Sequence, residues 1–98
     1  MIARSSYELT SSAQITKRGG VLTRVSIKTD GTNNAVVILY DVDASGDIAV
    51  TNKLEEITVI GANHYGGFDW SHPVRFHTGL YVAISGTGAS CIVEYNVR

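Results

Sequence analysis

Apolar and polar residues alternate with a period of two along most of the chain. In VLTRVSIK (21–28) this spacing predicts that the odd-numbered residues face a core and that the even-numbered residues, which include Leu22, face outward. In CIVEYNV (91–97) the odd-numbered residues share one face in the same way. Such alternation is typical of a β-strand with one face on a core and the other in water.

Three further apolar segments predict strands. AVVILY (35–40) is apolar without a break, which predicts a central strand covered on both sides. LEEITVI (54–60) and LYVAIS (80–85) are also strand-like, and no long segment repeats apolar residues at helical spacing. The connecting segments that supply glycine for tight hairpins are DGTNN (30–34), ASGD (44–47) and GTGAS (86–90).

Short strands separated by such turns predict an all-β protein, a single antiparallel β-sandwich or jelly roll of about eight short strands. We assign this domain to residues 13–98. Residues 1–12 are mostly polar, and they predict either a flexible arm or an arm that adds a strand to a neighbouring chain.

Length, charge and cysteine content narrow the class of protein. Ninety-eight residues with 44% hydrophobic and 17% charged residues are typical of one globular domain. A net charge of −1 and eight scattered basic residues argue against a nucleic-acid partner. The longest apolar run is too short to span a membrane, and the first residues do not resemble a signal peptide. The single cysteine, Cys91, lies in an alternating strand, so we expect a buried thiol and folding in a reducing cytoplasm.

The segment NHYGGFDWSHPVRFHTG (63–79) contains all three histidines, the only tryptophan and the only proline. His72 and His77 are five residues apart and would point to opposite faces of one strand, and His64 precedes a Gly-Gly pair. No cysteine or carboxylate spacing completes a metal site. Adjacent Asp69, Ser71 and His72 cannot form a catalytic triad on one strand. We therefore expect neither a cofactor nor enzymatic activity.

DVDASGD (41–47) partly matches a calcium-binding loop, because Asp41, Asp43, Ser45 and Gly46 fall at its first, third, fifth and sixth positions, and Asp47 adds a third carboxylate. Asp41, Asp43 and Asp47 are therefore weak candidate ligands for Ca²⁺. The twelfth position, however, is Asn52 rather than a bidentate glutamate. The other interpretation is a hairpin loop in which acidic side chains accept hydrogen bonds from their own backbone.

The aromatic residues of the 63–79 segment are the strongest candidates for a contact surface. In a glycine-rich loop they would either anchor a protein interface or stack on sugar rings, or else cover one end of the sandwich. The candidate contact residues are His64, Tyr65, Phe68, Trp70, His72, Arg75 and Tyr81.

Three phrases of the chain resemble small β-rich virion proteins of tailed bacteriophages and prophages. They are SSAQITKRGGVLTRVSI, AVVILYDVDASG and PVRFHTGLYVAISGTGASCIVEYN, which together extend from about Ser11 to Asn96. The most specific parts are GVL (20–22), LYD (39–41) and GLYVAISGTGAS (79–90). His64, Trp70 and His72 lie outside the shared pattern, so they are candidates for a partner-specific contact.

The resemblance implies a structural role in a virion, assembled after synthesis in the bacterial cytoplasm. It implies a capsid decoration (cement) protein that binds across capsid subunits, with the major capsid protein or another virion protein as partner. A homo-oligomer, with a trimer favoured, would suit threefold positions on a shell. The alternative is a tail-tip or vertex module that binds a receptor or glycan.

Overall fold

The structure, a computed structural model, describes residues 2–97, without the side chains of Ile2, Ser71 and His72. Eight β-strands form the fold: β1 (Ile2–Ser5), β2 (Ala13–Thr16), β3 (Gly20–Lys28), β4 (Ala35–Tyr40), β5 (Lys53–Val59), β6 (Tyr65–Phe76), β7 (Leu80–Ser85) and β8 (Ser90–Val97). Single turns of 3₁₀ helix occupy connections at Ser45–Asp47, Val50–Asn52 and Gly61–Asn63.

The strands form two antiparallel four-stranded sheets. The first sheet has the order β1-β8-β3-β6, and the second has the order β2-β7-β4-β5. Every strand therefore pairs with its counterpart from the other end of the chain: first with eighth, second with seventh, third with sixth and fourth with fifth. This nested pairing is the arrangement of an eight-stranded jelly roll. The prediction of an all-β sandwich or jelly roll is confirmed.

The core lies between the sheets and takes apolar side chains from both. The largest fully buried side chains are Phe76, Leu22, Ile27, Leu39, Leu80, Val25, Val37, Val82, Val93 and Cys91. In β8 the odd-numbered residues from Cys91 to Val97 are all buried, as the alternation predicts. Because burying an apolar side chain of this size stabilises a protein by about 1.5–3 kcal/mol, this layer is the main source of stability.

The prediction that β4 is covered on both sides is wrong. Ala35, Val37 and Leu39 are buried, but the alternate residues Val36, Ile38 and Tyr40 are only half-buried. A two-layer sandwich covers one face of each sheet, so the unbroken apolar run supplies the core on one side and an apolar outer strip on the other.

A β-bulge reverses the predicted facing of the first half of β3. Leu22 pairs with Tyr95 and Arg24 pairs with Glu94, so Thr23 is an extra residue with no partner of its own on β8. Leu22 is therefore fully buried and Val21 half-buried, the opposite of the prediction, whereas Val25 and Ile27 are buried as predicted. A bulge adds one residue and so exchanges the two faces of a strand.

The connections 30–34 and 86–90 are not the tight hairpin turns that the sequence predicts. Each joins a strand of one sheet to a strand of the other, β3 to β4 and β7 to β8. The two connections lie side by side, since a Cβ atom at Gly86 (φ +115°) would collide with the carbonyl oxygen of Asn34. ASGD lies in the long connection from β4 to β5, which are paired neighbours.

The N-terminal segment runs along β8 of its own chain. Residues 2–5 form β1, the Ser6 amide donates to the Val93 carbonyl at 2.8 Å, and Leu9 bridges to Cys91. Exchange of this strand with a neighbouring chain stays a prediction. Within residues 2–97, no helix has the length and apolar character needed to cross a bilayer.

Candidate functional site

β6 contains most of the predicted contact residues and lies at an edge of the first sheet. Phe68 pairs with the buried Val25, so its side chain points toward the interior, yet 53% of the residue is exposed. Its ring centroid lies 5.0 Å from that of Trp70, with the two planes tilted by 40°. Trp70 is half-buried and packs against the core. We call this aromatic pair, together with the unpaired backbone edge of the strand, the β6 edge.

The middle of β6 departs from regular pairing. Leu22 pairs with Val74 and Arg24 with Asp69, so the four residues 70–73 lie opposite the single residue Thr23. The chain's only proline is within this bulge, where its missing N–H removes no ladder hydrogen bond. The bulge divides β6 into two regular halves, and the first half has an open edge.

The histidines do not converge on one point. His64 has φ +65°, its carbonyl accepts the Thr29 amide at 2.7 Å, and its imidazole lies against Gly31. His77 is exposed beyond the end of β6, and the side chain of His72 lies outside the described part of the chain. In that described part, no three or more histidine, cysteine or carboxylate side chains are grouped to hold a metal ion.

Asp41, the first candidate ligand of the calcium loop, has a structural partner. Its carboxylate accepts backbone N–H groups from His77 at 2.9 Å, Thr78 at 2.8 Å and Gly79 at 3.3 Å. Partial burial raises the pKa of Asp41, but these donors outweigh burial and hold the pKa below its usual value. Asp41 therefore fixes the turn between β6 and β7.

The other two carboxylates of the calcium loop do not join Asp41 in a site. Asp43 and Asp47 are both exposed in the connection between β4 and β5. The side-chain amide of Asn52 donates to the backbone carbonyl of Asp47, not to its carboxylate, at 2.9 Å. The second interpretation, with acidic side chains accepting hydrogen bonds from their own loop, does not describe Asp41, whose carboxylate accepts the amides of residues 77–79 instead.

Two predicted contact residues lie apart from the β6 edge. Arg75 is exposed in the second half of β6, and Tyr81 is half-buried on β7, in the other sheet, where it pairs with Tyr40. Tyr65 is 70% exposed and lies on the outer face of the first sheet, opposite Lys28. The aromatic residues that the sequence suggested as one contact surface therefore lie on separate surfaces of the protein.

Sequence reasoning missed a depression on the outer face of the first sheet. It has a volume of about 340 Å³ and is lined by Arg24, Val25, Ser26, Gly66, Gly67, Phe68 and Asp69. Gly67 has φ +141°, and a Cβ atom there would collide with the Val25 carbonyl oxygen, so the position requires glycine. The signal in the sequence was a Gly-Gly pair inside a strand, which marks a place where backbone is open to close approach. We call this feature the Gly67 depression.

Cys91 provides a direct check on the core. Burial raises the pKa of its thiol from 9.0 to about 11. We expect the native protein to resist a thiol-specific reagent near neutral pH and to react once it is unfolded in denaturant, because the thiolate is the reactive form. Rapid labelling of the native protein would contradict the placement of Cys91 between the sheets.

The arrangement suits non-covalent binding on two surfaces. The β6 edge offers an aromatic pair and free backbone hydrogen-bonding groups, and the Gly67 depression offers polar side chains on an open sheet. No known protein family, no curated protein and no solved structure matches this chain.

Proposed function

We propose that this chain is a structural protein of a bacteriophage particle, a cement protein that binds across capsid subunits and stabilises the head. It catalyses no reaction in this role. The observation that carries the proposal is the β6 edge, an open strand with a half-exposed aromatic pair.

An open strand edge is a natural place for a partner chain. Unpaired N–H and C=O groups along an edge strand can form a ladder with another strand, and proteins normally block such edges. The bulge at residues 70–73 and its proline block the middle of β6. The first half, from Tyr65 to Asp69, pairs with β3 without a register shift and, within residues 2–97, has no paired strand on its other side. An exposed apolar residue such as Phe68 beside it adds area that a partner would remove from water.

The fold and the resemblance favour a virion as the place of that partner. Jelly rolls recur in viral capsid proteins, although the same fold serves other functions. A cement protein needs only to bind the assembled shell more tightly than free subunits, which stabilises the shell by mass action. Trimers at threefold positions would pool the binding area of several small domains.

The copy number of the chain in purified particles tests the location. A ratio to the major capsid protein near one is expected for a cement protein, whereas a few copies per particle would favour the tail-tip or vertex alternative. Absence of the chain from particles that are otherwise intact would overturn the virion proposal.

Replacing Phe68 by serine tests the β6 edge itself. We expect attachment to particles that lack the protein to weaken roughly tenfold or more, since a central aromatic anchor dominates binding at most interfaces. Co-sedimentation of the purified variant with such particles measures this. Val50→Ser is the matched control, because Val50 is 85% exposed in the connection between β4 and β5. Equal attachment of the wild type and both variants would rule out the β6 edge.

A further inference from the structure

We propose that the Gly67 depression binds an uncharged saccharide, with the exposed Tyr65 ring as a stacking surface. The inference concerns the outer face of the first sheet and does not depend on the proposed virion role.

The shape of the site follows from cross-strand pairs on that face. Three pairs succeed one another along β3 and β6: Tyr65 with Lys28, Gly67 with Ser26, and Asp69 with Arg24. The middle pair has the two smallest side chains and forms the floor, while larger side chains stand at both ends. The distance from the first pair to the last is roughly 13 Å along the strand, a span that suits a short oligosaccharide.

A second depression adjoins the first and extends the site toward β8. It has a volume of about 160 Å³, shares Ser26 with the Gly67 depression, and is lined mainly by apolar surface from Tyr65, Lys28 and Ile92 among others. The volume of the larger depression is near the lower end of the usual range for small-molecule sites, about 300–1,000 Å³. The Gly67 depression is broad and open to solvent, so a ligand with a flat face fits it better than a bulky one.

The charges around the floor balance, which selects the ligand class. Arg24 lies between Asp69 and Glu94 in the register of the three strands, and Lys28 lies two pairs away from Asp69. The linings of the two depressions contain two cations, Arg24 and Lys28, and two anions, Asp69 and Glu8, so the linings themselves carry no net charge to attract a polyanion or a metal ion. Instead they present donors and acceptors side by side, the combination that sugar hydroxyl groups can satisfy.

These charged side chains are available to a ligand. The one ion pair formed within residues 2–97 is Lys53–Glu56 at 3.1 Å, on β5 of the other sheet. Arg24 therefore forms no ion pair with either neighbouring carboxylate, although cross-strand neighbours are close enough for long side chains to meet.

The Tyr65 ring completes the site. Tyr65 is 70% exposed, pairs with Lys28, and lines the second depression beside the Gly67 depression. An exposed aromatic ring can pack against the apolar face of a sugar ring while its hydroxyl group donates a hydrogen bond. A purely structural tyrosine at this position would bury more of its ring.

The experiment is a titration of the isotope-labelled full chain with a panel of neutral and acidic mono- and oligosaccharides, followed by amide NMR shifts. We expect neutral sugars to shift the amide signals of Ser26, Gly67 and Asp69. Tyr65→Ala and Asp69→Ala should each weaken the best binder roughly tenfold. Asp43→Ala is the matched control, because Asp43 is an exposed aspartate on a distant connection. This variant should bind the same saccharide with the affinity of the wild type.

Each other outcome overturns the inference. If no saccharide at about 10 mM shifts any amide signal, saccharide binding with even a millimolar Kd is excluded. Preference for polyanionic sugars contradicts the ligand class, and unchanged affinity in both site variants places the binding elsewhere. The amide spectra of the variants also show directly whether each has kept the fold. Failure here leaves the virion proposal intact, since that proposal depends on particle attachment.

Discussion

Replacing Leu22 by alanine should lower the free energy of unfolding by about 2–5 kcal/mol, the usual cost of deleting a fully buried leucine side chain. Leu22 is completely buried because the bulge at Thr23 turns it toward the core. The neighbouring Val21→Ala should cost about 1 kcal/mol or less, since Val21 is half-buried on the outer face. Chemical denaturation of both variants measures the difference.

The two variants test whether the bulged strand of the structure or a strictly alternating strand describes β3 in solution. Strict alternation through 21–28 predicts the reverse order, with Val21 the costly position and Leu22 the tolerant one. A larger loss for Val21→Ala than for Leu22→Ala would show that the bulge is absent in solution.

Local alternation was sufficient to predict the fold class but not the bulge. In β8 buried and half-buried residues alternate from Cys91 to Val97, so the sequence identified the buried face correctly. In β3 one extra residue exchanges the faces, and Thr23 differs in no visible way from a threonine in a regular strand. The connections 30–34 and 86–90 were misassigned because glycine-rich segments serve both within a sheet and between sheets. Pairing between strands that are distant in the sequence decides whether such a segment connects strands of one sheet or of two sheets. Local sequence does not reveal that pairing.

Replacing Asp41 by alanine should destabilise the protein by about 2–4 kcal/mol. Its carboxylate accepts three backbone N–H groups of the turn 77–79, and each hydrogen bond to a charged acceptor contributes about 1.5–3 kcal/mol without full additivity. Asp41→Asn, which retains one acceptor oxygen but no charge, should lose less. Asp43→Asn, on an exposed carboxylate two residues away, should stay within about 0.5 kcal/mol of the wild type.

The loss of unfolding free energy caused by Asp41→Ala should be largest near neutral pH and should decrease in acid. The pKa of Asp41 is lowered in the folded protein, so its contribution is fully present above the unfolded pKa of about 4 and is lost as the pH falls through the folded pKa. Denaturation curves of the wild type and Asp41→Ala should therefore differ by a constant amount near neutral pH and converge in acid. A difference that stays the same size down to the lowest pH would mean that the carboxylate charge contributes nothing.

The candidate site was only partly predictable. The segment 63–79 does supply the aromatic pair of the β6 edge, because Phe68 and Trp70 are two residues apart and share a face. Tyr65 is an odd number of positions from both, so it belongs to the other face. Asp41 looked like a metal ligand because its partners, the amides of 77–79, are distant in the sequence. The Gly67 depression arises from a missing side chain opposite a small one, which only the register reveals.

The nested pairing of the strands sets an order for the folding reaction. The innermost pair, β4 with β5, closes the shortest loop, and each pair outside it joins residues farther apart in sequence, up to Ile2 with Val97. Closing an outer pair costs less entropy once the pair inside it has formed, so we expect folding to proceed outward from the β4–β5 pair. Such a high contact order predicts folding in milliseconds to seconds rather than microseconds. Until β8 is in place, β1 and β3 lack their shared neighbour, so we expect the first sheet to be the last part of the molecule to be completed.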